Sequence, residues 1–231
     1  MERQEKLCTA GDGVRLFLLI ASLLQGCALS HGVRPVGEGN VALDVGLGGP
    51  IVDYMGGHKP VPLSQIGITY GLSDKTNLHG GFYPSGAAMF GLVGFEAGAS
   101  HLVLEQDGGR PAVMVDGTLI GIGGDIGEGA PEGGFRPYLQ TSAHGSWGYG
   151  SREHLVYTGP EFISQVAPLD SVFGWTLGHQ ANFGRWGLGT EVGWMAPFWD
   201  NLPPVVDYAG IGGRGAVSIN FGVQVALGGQ K

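Results

Sequence analysis

From Val41 to Leu227 the chain alternates apolar residues with small or polar ones, and no window of useful length carries a 3.6-residue period. Side chains of an extended strand point to opposite faces in turn, so this chain must build sheet with two chemically different faces. The last stretch is the cleanest. Val217, Ile219, Phe221, Val223, Val225 and Leu227 share one face, and Ser218, Asn220, Gly222 and Gln224 share the other. Similar segments fall at 41–47, 65–72, 77–82, 95–104, 113–119, 135–144, 173–180 and 186–194, with a weak one at 153–158. The pattern predicts an all-β fold, an antiparallel up-and-down β-barrel of about ten strands, with eight as the alternative count.

The connections alternate in length. Short ones fall at Ser73-Asp74-Lys75, Asp107-Gly108-Gly109, 145–152 and Asn182-Phe183-Gly184-Arg185. Longer ones, rich in Gly and Pro, fall at 49–62, 84–94, 122–134, 159–171 and 196–213. Short turns on one side and long loops on the other are the asymmetry of membrane-spanning barrels, and an even strand count puts both termini on the short-turn side.

Upstream lies a second constraint. Leu16 to Leu24 is a nine-residue apolar run preceded by Arg15, the length of a signal-peptide core and far short of the ~20 residues of a spanning helix. Residues 1–13 make a poor leading segment, and a start at Val14 would give a compact signal. The run ends in Leu24-Gln25-Gly26-Cys27, which resembles the lipobox of bacterial lipoproteins. The resemblance implies cleavage before Cys27 and acylation of that cysteine, a durable anchor at roughly 0.8 kcal/mol per buried methylene. Ala28, where an Asp would favour inner-membrane retention, points to the outer membrane. The expected organisation is therefore a signal peptide over 1–26, a lipidated N-terminus and flexible tether over 27–39, and a barrel domain over 40–231.

Composition narrows the partners. The formal charge is −8 with 12 Lys+Arg against 20 Asp+Glu, which argues against nucleic acid. Of the two cysteines, Cys8 leaves with the signal and Cys27 takes the lipid, so no disulfide is available. Glycine supplies 46 of 231 residues, yet 43% hydrophobic content and regular alternation argue against disorder.

The alternation alone fits two solutions. In hydrocarbon the apolar face points outward and the sheet must close; in a soluble, lipocalin-like lipoprotein binding a hydrophobic ligand the faces are inverted. Trp186 and Trp194 lie eight residues apart on one face, roughly 20 Å along the membrane normal, and suit the two aromatic girdles of a spanning barrel. From about residue 63 the chain resembles, in texture, small outer-membrane β-barrel proteins of bacteria, with the Tyr70-Gly71-Leu72-Ser73-Asp74-Lys75-Thr76-Asn77-Leu78 hairpin as an example. The final strand departs from theirs by ending in Gly228-Gly229-Gln230-Lys231 rather than in an aromatic residue.

Little chemistry is legible. Seven histidines occur without ligand spacing, so no metal and no cofactor is expected. Gly210-Ile211-Gly212-Gly213-Arg214-Gly215 matches G-x-G-x-x-G, but a strand follows it where a dinucleotide site needs a helix. Glu96, Asp116, Arg136 and Glu191 fall on the polar face, and so inside a membrane barrel. The expectation there is a lumenal ion network around Arg136, with a cation-selecting constriction or a catalytic carboxylate as the functional alternative. His144 and Ser146 are the one adjacent pair worth weighing for a lipid-modifying enzyme. The sequence reads best as a lipid-anchored outer-membrane barrel with a structural, adhesive or small-solute role and no catalytic residues. Its expected partners are outer-membrane lipid and the machineries that process lipoproteins and insert barrels.

Overall fold

The alternating segments become strands of a single sheet that closes on itself. The computed structural model describes residues 32–54, 56–124, 134–150, 154–166, 170–200 and 207–227. In chain order the elements are β1 (Val41–Tyr54), β2 (Gly57–Pro60), β3 (Leu63–Gly71), β4 (Thr76–Phe82), α1 (Pro84–Phe90), β5 (Val93–Leu104) and β6 (Ala112–Gly123). They continue with β7 (Phe135–Tyr149), β8 (His154–Gln165), β9 (Asp170–Phe183), β10 (Trp186–Asp200), β11 (Asp207–Tyr208) and β12 (Arg214–Ala226). Each barrel strand pairs antiparallel with its chain neighbours, and β1 pairs with both β3 and β12. Ten strands therefore close the barrel; β2 and β11 are short additions on the outer end of β1, so the count is ten and not eight.

The faces point the way hydrocarbon requires. Leu47, Ile66, Ile68, Leu119, Leu177, Val192 and Phe221 are each about half exposed on the outside. Gln65, Thr69, Asn77, Ser100, Thr118, Thr176, Ser218 and Asn220 are buried inside. A soluble barrel needs the reverse arrangement, and the lipocalin-like solution fails here. An apolar outer band on a sheet without free edges is what a bilayer accepts, because no backbone group is left to bond water that is absent. Among the described residues no helix is long and apolar enough to cross a membrane.

Several boundaries differ from the sequence reading. The segment 49–62 is not a loop, because β1 runs on to Tyr54 and pairs with β2 as an extension of the hairpin. The weak segment at 153–158 is a full strand, β8, and the expected long connection at 159–171 shrinks to the residues between Gln165 and Asp170. Gly159-Pro160 reads as a breaker from composition. In the structure Pro160 stands opposite Trp175, and Gly159 lies so close to the Ala143 carbonyl that no Cβ fits there. Helix α1 went unseen because seven residues are too few to show a period; Pro84 opens it and Gly91, at φ 66°, closes it in the left-handed region.

Glycine's abundance follows from the narrow lumen. A ten-stranded barrel has little room for facing side chains. At Gly178 a Cβ would run into the Tyr157 ring, and at Gly98 it would meet His79 and Thr118. Large polar side chains on one strand are thus accommodated by glycines on the next.

Candidate lumenal site and its two mouths

Inward alternation carries five carboxylates into the lumen, and donors from the same strand or from strands across the lumen hold each of them. Glu96 accepts hydrogen bonds from the Gln65 amide and the Tyr83 hydroxyl. Glu161 accepts from the Gln140 amide and, at 3.4 Å, from the Thr176 hydroxyl. Glu191 accepts from the Tyr157 hydroxyl at 3.0 Å and from Asn220 Nδ2 at 3.5 Å. Asp44 accepts from Thr69 Oγ1 at 2.7 Å and Gln224 Nε2 at 2.8 Å. Asp116 accepts from Thr118 Oγ1 at 2.8 Å, with His79 Nε2 at 3.6 Å. A carboxylate removed from water is tolerable only when donors replace the lost hydration, and most of these bonds also tie one strand to another.

The four residues singled out from alternation lie on four different strands. Glu96 and Glu191, each about 5% exposed, sit on β5 and β10, on opposite walls of the barrel. Asp116 lies on β6 opposite Ser100 and Ser142. Arg136, 7% exposed, lies near the long-loop end of β7 with its guanidinium beside the Tyr138 hydroxyl. The donors that reach these carboxylates include amides, hydroxyls and, for Asp116, the His79 ring. Asp44 and Glu161 complete the set. Asp44 was on the polar face by alternation without being singled out, and Glu161 was hidden in the segment read as a loop.

His144 and Ser146 both face the lumen, at 3% and 0% exposure. His144 Nδ1 lies 3.4 Å from Ser142 Oγ, and its ring meets Tyr157 edge-on. Neither reaches the lipid-facing surface. Among the described residues no group of three or more metal-ligating side chains occurs.

The two mouths of the lumen differ. At the long-loop end, Leu63, Tyr83, Ile120, Ile122, Tyr138, Ile163, Val172, Met195 and Ala196 form one buried apolar cluster across the interior. At the short-turn end residues 32–39, expected as part of a flexible tether, lie in the mouth. The Val36 N–H donates to Asn77 Oδ1 at 3.0 Å, Arg34 donates to Gln106 Oε1 at 2.8 Å, and Val33 packs against Leu155 and Tyr157 at 2% exposure. Asn77 offers an inward amide to a backbone that needs partners, and Val33 packs on the apolar faces of Leu155 and Tyr157. Between this strap and the mid-barrel remains a cavity of about 50 Å³, room for roughly three or four waters, lined by Asp44, Gln65, Tyr157, Gln180, Gln224 and several glycines.

On the outside, aromatic residues form two belts. Trp147, Tyr149, Phe183 and Trp186 lie toward the short turns. Toward the long loops Trp175 stands directly opposite Trp194, with Phe162, Phe173 and Phe198 in ring contact beside them. Both indoles of the outer pair are satisfied, Trp175 Nε1 by Thr158 Oγ1 at 2.8 Å and Trp194 Nε1 by the Arg214 carbonyl at 3.1 Å. Amphipathic rings with a bonded N–H suit a membrane–water boundary.

No family model matches the sequence, and no curated protein matches it. Among solved structures, the translocator domain of the autotransporter NalP from Neisseria meningitidis aligns over 93% of this chain and 94% of that one, at 12% identity and a TM-score of 0.43. An anion-selective porin from Comamonas acidovorans aligns over 80% of this chain and 56% of its own, at 17% identity and a TM-score of 0.35. Ail, the attachment invasion locus protein of Yersinia pestis, aligns over 82% and 99%, at 9% identity and a TM-score of 0.28. With all three scores below 0.5, the membrane-barrel assignment rests on this chain's own closure and on the direction of its two faces. The signal segment 1–26 and Cys27 lie outside the described residues.

Proposed function

We propose that this protein is a lipid-anchored barrel of the bacterial outer membrane whose lumen is closed, and that it serves a structural or adhesive role rather than passing solutes. The observation that carries this reading is the double seal: an apolar layer at one mouth, the strap at the other, and tied carboxylates between. A porin keeps a continuous aqueous path, whereas an apolar constriction opposes the passage of ions. The Leu24-Gln25-Gly26-Cys27 motif supports the anchor, with Cys27 acylated and held in the inner leaflet of that membrane, on the side of the short turns.

The purified mature protein is expected to need detergent, to migrate differently on gels before and after boiling, and to give no steady conductance in planar bilayers. Stable single channels would overturn the closed lumen. A Cys27→Ala protein soluble in water would overturn the spanning barrel itself. Phe221 stands opposite Thr190 near mid-height, 55% exposed. Phe221→Arg should cost about 2–4 kcal/mol in a bilayer, and almost nothing if that face met water.

A further inference from the structure

The outer belt at the short turns holds two imidazoles, groups that are costly on a lipid-facing surface unless their polar atoms find partners. His154, the first residue of β8, and His179, on β9, take outward positions, since Leu155 and Thr176, of the opposite parity, are buried in the lumen. Tyr149, the last residue of β7, stands opposite His154, and Val156 stands opposite His179, so the two imidazoles lie diagonally across the β8–β9 ladder. The Tyr149 ring meets both, at centroid distances of 5.6 Å and 6.0 Å, and Phe183 meets His154 at 5.7 Å. Four rings from three strands thus make one patch at the level where β7 ends and β8 begins.

Hydrogen bonding within the patch uses only part of its donors. The Tyr149 hydroxyl and His179 Nε2 are 2.6 Å apart. A neutral imidazole has one N–H and one lone pair, so with the phenol donating to Nε2 the His179 proton sits on Nδ1. His154 Nδ1 is enclosed without a partner. Enclosed N–H groups that lack an acceptor are rare, which places the His154 proton on Nε2. The patch therefore presents two N–H donors, His154 Nε2 and His179 Nδ1, for which no acceptor occurs among the described residues. The neighbouring Trp147 indole, by contrast, is bonded to the Gly109 carbonyl at 3.1 Å.

Charge favours an anion as the missing acceptor. Among the described residues no carboxylate takes an outward position in the short-turn half of β7, β8, β9 or β10. Arg185, in the turn that follows Phe183, adds a positive charge to the same rim, with its Nε bonded to the Ala226 carbonyl at 3.1 Å. At this level of a bilayer the abundant anion is the phosphate of a lipid headgroup. Trp147, Phe183 and Trp186, all exposed, offer ring surfaces beside it for the acyl chains.

We propose that His154 and His179, the latter oriented by Tyr149, form a headgroup site for one phospholipid, whose phosphate oxygens accept from His154 Nε2 and His179 Nδ1 and whose chains lie along the aromatic belt. The inference needs a barrel that spans a bilayer and is independent of the anchor at Cys27.

The test places the mature protein, with isotope-labelled histidine rings, in phosphatidylglycerol vesicles and measures solid-state NMR recoupling between ring nitrogens and lipid phosphorus. The signals missing from His154→Phe and from His179→Phe should both be dephased by phosphorus in the native protein. His154→Gln, which restores an N–H donor, should leave the His179 signal dephased. In dodecyl maltoside, native mass spectrometry should find one tightly held phosphatidylglycerol, with affinity lowered about five-fold in the double Phe variant. Boil-dependent gel migration verifies that each variant is folded, and the recoupling in the native protein decides the matter even where a variant is not. Absence of recoupling to either ring, or equal lipid retention with and without the two histidines, overturns the site. If inorganic phosphate in lipid-free micelles shifts the same ring signals and displaces the lipid, the site takes the free anion and the lipid assignment is overturned. A protein that needs no detergent removes the spanning barrel, and the site with it.

Discussion

In the closed lumen proposed above, the two mouths are blocked by different means. At the long-loop end the seal is built from side chains on the barrel strands themselves, with Tyr83 just beyond β4, so it is part of the fold's own core. At the short-turn end the seal is a segment outside the sheet, held by a few hydrogen bonds and one buried valine. The first should be lost only when the sheet opens. The second can detach while all ten strands stay paired, because local openings cost less than global unfolding where contacts are few. On the closed-lumen proposal, one side is therefore permanently shut and the other conditionally so.

The largest expected effect lies at the built-in seal. Tyr138 is fully buried in the apolar cluster. Tyr138→Ala should cost about 3–5 kcal/mol, read from denaturant unfolding in lipid vesicles by the loss of the fast-migrating gel band. A cost below ~1 kcal/mol would make the two mouths equivalent.

At the strap, Val33→Asp buries an unpartnered carboxylate, which costs more than burying a neutral polar group, and the chain relieves this by withdrawing the segment. The barrel should keep its boil-dependent migration while a cysteine placed at lumenal Ser100 becomes several-fold faster to label with a small charged thiol reagent. Unchanged labelling would mean that the strap does not guard the lumen. Asn77→Ala removes the amide that accepts from the Val36 N–H and donates to the Arg34 carbonyl at 3.4 Å. It should cost ~1 kcal/mol and raise labelling by a smaller factor than Val33→Asp.

The smallest effect is at the rim. Lys75 Nζ lies 2.7 Å from Glu105 Oε1 and joins two neighbouring short turns, and the lysine holds the Glu105 carboxyl below the ordinary glutamate range. A depressed folded-state value means that any stabilisation is present above the unfolded-state value and is lost as pH falls through the folded one. The pair is open to solvent, so NMR titration of Glu105 in micelles should show the depression vanish in Lys75→Met with almost no change in unfolding.

Much of this was legible along the chain. Val217 to Leu227 announces a two-faced strand in eleven residues, and Glu96, Asp116 and Glu191 take their inward positions from the same count of two. The count broke wherever tertiary contacts overrode composition. Gly159-Pro160 looked like a loop because the close approach of Ala143, which demands a glycine, is invisible in one dimension; Glu161 was lost with it. Residues 32–39 looked like a tether because their partners, Asn77, Gln106 and Tyr157, lie far along the sequence.

By itself, then, the sequence determined that the chain makes sheet and which side chains share a face, because period-two alternation is local and a strand has only two faces, whereas the count of ten was fixed by the pairing that closes the barrel. The tertiary structure alone decided which face met water, since alternation is symmetric under inversion until the sheet closes. It also decided which donors hold the carboxylates and what closes each end, because those depend on contacts between residues that only a completed barrel brings together.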